Sequence, residues 1–149
     1  MTHTNSAAAQ FNIQIGDNLT WNVRPLLHEV KHALDNLINT GETAIIDLRS
    51  IPLAPGEEDK ILNTLGRGEV QSQLNALGPS EIFETEYAGV WIVTHYNEDD
   101  EIIGRFIEIT TMPAILCSQN EDVIAAYNRL SENLEDNRET NESVVEKLS

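Results

Sequence analysis

From Glu69 the apolar residues of this chain change from helical spacing to a period of two, and that change limits the fold more than any other feature. From Leu26 to Ile38 they recur at helical spacing, with Leu26, Leu27, Val30, Ala33, Leu34, Leu37 and Ile38 on one face. From Glu69 to Thr111 the period is two. Val70, Ser72 and Leu74 alternate with Glu69, Gln71 and Gln73, and the runs Glu81–Tyr87, Val90–Asn97 and Ile102–Thr111 follow. The breaks between them are Gly78-Pro79, Ala88-Gly89 and the acidic turn Glu98-Asp99-Asp100. Links this short join antiparallel neighbours, so a four-strand meander is expected.

The remaining elements follow from punctuation. Pro25 suits the first turn of the opening helix and Gly41 its end. Thr43–Leu48 is a short β-branched run that reads as a well-buried strand. Pro55-Gly56-Glu57-Glu58-Asp59 opens a second helix with acids where the dipole favours them, Ile61, Leu62 and Leu65 face inward, and Gly66 stops it. Pro113 ends the sheet. Ser118-Gln119-Asn120-Glu121 is a capping-box pattern that opens a final helix with Val123, Ile124, Tyr127 and Leu130 on its face. The order α-β-α-β-β-β-β-α is α+β, with helices packed on one face of a mostly antiparallel sheet of four to five strands.

Three regions are expected. Residues 1–20 form a polar, Ala-rich arm in which Phe11–Ile15 alternates like an edge strand; residues 21–130 form the folded body; residues 131–149 form an acidic tail, disordered or a frayed helix. Lys and Arg number 9 against 25 Asp and Glu, a net charge of −16 over 149 residues. That field repels phosphate backbones and argues against nucleic-acid partners. No run approaches the roughly 18 apolar residues of a membrane span, and the first ten residues lack the basic start and apolar core of a secretory signal. A cytoplasmic domain is the expectation. One cysteine rules out an internal disulfide.

Several motifs invite chemistry and do not sustain it. His28-Glu29-Val30-Lys31-His32 has the spacing of a helical zinc site, with Glu29 as base. A helical wheel sets His28 and His32 opposite the apolar stripe, and the glycine and third histidine of the extended pattern are missing. Nickel or zinc handling by His28 and His32 is therefore the alternative reading and not the first. Asn97, Asp99, Glu101 and Glu108 match four positions of a calcium loop, but Ile102 replaces its glycine. Gly66-Arg67-Gly68 lies after a helix and before a strand, the reverse of a phosphate-binding turn. Cys117 reads as a small buried hydrophobe. No catalytic constellation and no cofactor emerge.

The strands around the acidic turn are more informative. Both sides of Val90–Asn97 and of Ile102–Thr111 carry large apolar groups. Helices on one face alone would leave aromatic groups on the other, for a partner, a second copy of the chain, loops or the N-terminal arm to cover. Trp91, His95, Arg105 and Phe106 are the candidate partner-binding residues. A register centred on Glu98–Asp100 sets Trp91 opposite the region of Ile107 and Phe106 near Ile92, and a bulge would shift it by one.

Leu26–Leu34, Thr40-Gly41-Glu42 and Ile46-Asp47-Leu48-Arg49 carry a family resemblance. It continues through Leu65-Gly66-Arg67-Gly68-Glu69-Val70, Ala76-Leu77-Gly78-Pro79-Ser80, Gly89–His95 and Gly104–Ile109. Together these segments resemble the C-terminal domain of the HupH/HyaF/HoxQ hydrogenase expression and formation proteins, over about residues 24–125. The resemblance implies a non-enzymatic assembly factor for an uptake nickel–iron hydrogenase, acting on the iron–sulfur small subunit or its precursor before export. Other maturation factors are further candidate partners, and a homo-oligomer is left open. Family members extend further upstream.

Overall fold

The computed structural model describes residues 22–148, so the expectation of an edge strand at Phe11–Ile15 lies outside the described residues. Two compact units divide the chain, one through Pro113 and one from Ala114.

The first unit opens with α1 (Val23–Thr40), which buries Val23, Leu26, Val30 and Ala33. Gly41 closes it in the left-handed region, φ 73°, donating its N–H to the Leu37 carbonyl. Ile38, expected on the apolar face, is 79% exposed. It lies about 120° around the wheel from Leu26, at the margin of the stripe. Strand β1 (Ala44–Asp47) follows, then α2 (Glu57–Leu65), which buries Ile61 and Leu65. Four strands complete the unit: β2 (Gln71–Ala76), β3 (Gly78–Glu84), β4 (Val90–Tyr96) and β5 (Ile102–Ile109).

All pairings are antiparallel and the sheet order is β1-β5-β4-β3-β2. The expected meander is present, extended to five strands by β1 at the edge beside β5. That edge position corrects the reading of β1 as well buried. Ile46 is buried, but Ile45, which points to the other face, is 67% exposed.

The register of the β4–β5 hairpin carries the bulge that the acidic turn allows. Tyr96 pairs with Ile102, then the ladder slips between His95 and Tyr96, so His95 pairs with Gly104 and Trp91 with Glu108. Ile103 is the extra residue and stands exposed. The turn itself is built by Asn97, whose Oδ1 accepts the N–H groups of Asp99 and Glu101, both at 2.9 Å. Its acidic pattern therefore serves a turn.

Strand alternation sorts the sheet into two faces. The core joins α1 and α2 to Phe83, Val90, Ile92, Ile107 and Ile109 on the first face. The second face turns Ile82, Trp91 and Val93 the other way, and these three are also buried.

The second unit contains a short 3₁₀ turn (Ala114–Leu116) and α3 (Asn120–Leu148). The final helix thus runs through the stretch read from sequence as an acidic tail. Val123, Ile124, Tyr127 and Leu130, expected on its packing face, are all more than half exposed. Cys117, read as buried, is exposed, because the chain has by then left the sheet.

Candidate functional site

The slipped register decides which candidate residues meet. Trp91, His95 and Phe106 occupy the second face, where Val93 pairs with Phe106 and His95 with Gly104. Arg105 pairs with Thr94 and so occupies the first face. Three of the four sequence candidates come together and the fourth does not.

Trp91 is buried, and its indole N–H donates to the Thr110 carbonyl at 3.0 Å. It is a structural member of this face and not a free surface group. His95 and Phe106 are half-buried at the rim. The His95 imidazole meets the Phe106 ring edge-on, with centroids 5.8 Å apart and planes at 63°. His95 Nδ1 and the Ser80 hydroxyl are hydrogen-bonded at 2.7 Å, which fixes the ring's orientation from the neighbouring strand. A Cβ at Gly104 would approach Phe106 to 3.1 Å, so a glycine opposite His95 leaves room for that ring. Glu108, paired with Trp91, completes the row; burial pushes its carboxyl above the ordinary glutamate value, and the charge of His95 works the other way.

On the first face Arg105 is bound internally. Its Nε–H donates to Thr94 Oγ1 at 3.0 Å and its guanidinium pairs with Glu58 of α2 at 3.0 Å. It borders a cleft of about 470 Å³ between α2 and the sheet, lined also by Arg67, Glu81, Phe83 and Asp59. Arg67 lies 4.1 Å over the Phe83 ring and 2.7 Å from the Glu81 carboxylate. The Gly66-Arg67-Gly68 segment thus positions a cation over an aromatic ring. The only sequence signal for it is the helix-stopping Gly66, here at φ 69°.

A second arrangement was not visible in sequence. Glu57 is buried, and its Oε2 accepts the Ala54 N–H at 2.9 Å and the Asn22 amide at 3.1 Å. Those bonds hold its carboxyl below the ordinary value. Thirty-five residues separate Asn22 from Glu57, and no local pattern announces the pair.

His28 and His32 are both exposed on α1, on the side away from its buried residues. Among the described residues, no three His, Cys, Asp or Glu side chains gather as a metal site. No helix among them is long and apolar enough to cross a membrane.

Comparison with known proteins bears on what this arrangement serves. Residues 20–136 match the family model described as HupH hydrogenase expression protein, C-terminal conserved region. The hydrogenase expression/formation protein HoxQ of Azotobacter vinelandii is 29% identical over 87 residues, 58% of this chain and 31% of that protein. HupH of Rhodobacter capsulatus is 35% identical over 97 residues, 64% of this chain and 34% of that one. The chain therefore spans about a third of the length of the curated relatives it matches. A solved structure of hydrogenase expression protein HupH from Thiobacillus denitrificans is 37% identical and superposes with a TM-score of 0.75, covering 78% of this chain and 98% of that one. With the family model matching residues 20–136 of this chain and the fold shared, the chain belongs to the HupH hydrogenase expression protein family, through its C-terminal conserved region.

Proposed function

We propose that the chain acts in the maturation of an uptake nickel–iron hydrogenase as a binding factor without catalysis of its own. Its client in this reading is the iron–sulfur small subunit or the precursor of that subunit before export. The observation that carries the reading is the family match over residues 20–136. The net charge of −16 supports the choice of subunit, because an acidic factor is steered towards a basic export segment.

The client contact is assigned to the rim of the second face, where His95 and Phe106 are half-buried beside Glu108. Trp91, on the same face, is buried and bonded to Thr110. Aromatic groups contribute large contact area at limited entropic cost, which favours Phe106 as the anchor. Arg105, committed to Glu58 and Thr94 on the first face, is left out of the contact.

Affinity purification of the tagged chain from cells expressing the hydrogenase genes tests the reading. The small-subunit precursor should co-elute, and less of it at high salt. Recovery of the large subunit alone, or of no hydrogenase subunit, would overturn the assignment.

A further inference from the structure

Helix α3 has no buried residue over its 29 positions. A helix of this composition draws most of its stability from packing, so one of about 43 Å without a buried residue calls for a partner. Its exposed apolar groups show which face the partner takes. Val123, Tyr127, Leu130, Leu134, Val144 and Leu148 are between 50% and 83% exposed. With Asn137 and Asn141 between them, they are spaced alternately by four and three residues from end to end. That is the a/d repeat of a two-stranded coiled coil.

The charges select the occupant. The acids of α3, from Glu121 to Glu146, all fall at the outer b, c and f positions. None lies on the seam or at the e and g positions beside it, where Ile124, Ala126 and Val145 stand and only Arg138 and Lys147 are charged. A groove for a basic helix would place acids along those flanks. A strip cleared of acids on a chain of net charge −16 suits an equally acidic partner, which is a second copy of itself.

The asparagines select the direction. In a full-length antiparallel overlap Asn137 would oppose Leu134 and Asn141 would oppose Leu130, leaving each buried amide without a partner. Parallel and in register, each asparagine meets its own counterpart, the arrangement by which one polar seam residue sets register and strand number. We propose that α3 pairs with α3 of a second copy of this chain as a parallel, in-register two-stranded coiled coil.

The test uses the full chain. Sedimentation equilibrium at tens of micromolar should give twice the 16.6 kDa chain mass. The double variant Leu130→Asp/Leu134→Asp should give the single mass and lose helical circular dichroism, while tryptophan fluorescence reports an intact sheet unit. In a Cys117→Ser background, Asn141→Cys should oxidise to a covalent dimer only in the parallel register. A wild-type monomer overturns the proposal, as does a dimer that survives the double aspartate variant. A dimer whose introduced thiols do not cross-link overturns the parallel arrangement.

Discussion

The side-chain amide of Asn22 donates to the buried carboxylate of Glu57 at 3.1 Å, tying the residue before α1 to the first residue of α2. The same amide reaches the Pro52 carbonyl, and the same carboxylate oxygen accepts from Ala54. Two segments that meet only in the folded state, Asn22 and the stretch 52–57, are joined through two side chains.

This tie makes acid stability depend on Glu57. Its carboxyl is held below the ordinary 4.5, first by the Ala54 N–H and then by the Asn22 amide. A depressed carboxyl contributes stability above its unfolded value and loses it as pH falls through the folded one. Glu57→Gln should therefore lower the melting temperature at neutral pH, with the deficit shrinking below about pH 4. Melting curves at both pH values check this; an undiminished deficit in acid would assign the effect to packing.

Glu108 should behave in the opposite sense. Burial raises its carboxyl, so the ionised form is the one the fold tolerates poorly, and stability is lost as pH rises through the ordinary 4.5 towards the raised value. Glu108→Gln should melt higher than the parent at neutral pH and match it in acid. The same two melting curves decide it, and a variant less stable at neutral pH would mean the carboxylate has a partner that favours its charge.

Which of these features the sequence announces depends on the range of the interaction. Period and punctuation give the element order, and the helical wheel turns His28 and His32 outward, because both are local properties. The face shared by Trp91 is not local. Arg105 and Phe106 are consecutive in β5, so only one of them can join Trp91. A regular hairpin would set Trp91 opposite Ile107 and bring Arg105 to its face. The single slip between His95 and Tyr96 sets Trp91 opposite Glu108 and brings Phe106 instead. One bulged residue, Ile103, thus exchanges the two candidates, and composition around the turn does not say whether the bulge forms. The Asn22–Glu57 tie and the Arg67–Phe83 contact were hidden for the related reason that each joins segments far apart in sequence. Cys117 and Ile45 misled in a simpler way: an apolar residue type was read as burial without knowing where the sheet ends.

The exposed histidines give a third expectation. His28 and His32 lie on the outer side of α1, away from Val23, Leu26, Val30 and Ala33. Replacing both with alanine should change stability by no more than about 0.5 kcal/mol, the usual range for surface sites. Small-subunit co-elution and hydrogenase activity in complemented cells should be unchanged. A folded double variant that abolishes maturation would instead make the pair a metal-handling site.

The last prediction separates the support of the second face from its contact surface. Trp91 is buried and its indole N–H is bonded to Thr110, so Trp91→Ala both opens a cavity and strands an acceptor. Loss of a buried tryptophan costs roughly 3–5 kcal/mol, a large share of the stability of a domain this size. The variant should therefore melt far lower, and any loss of client binding by it would say nothing about contact. Phe106 is only half-buried, and its ring makes a T-shaped contact with His95. Phe106→Ala should keep most of the stability, so its binding can be read directly. If the rim is the client surface, Phe106→Ala loses small-subunit co-elution while its melting temperature falls much less than that of Trp91→Ala. Arg105→Ala provides the contrast, since Arg105 bonds Glu58 and Thr94 on the first face. It should lower stability by about 1–3 kcal/mol through the stranded partners and leave co-elution intact. Binding retained by Phe106→Ala and lost by a folded Arg105→Ala would move the contact to the first face, beside the cleft that Arg105 borders with Arg67.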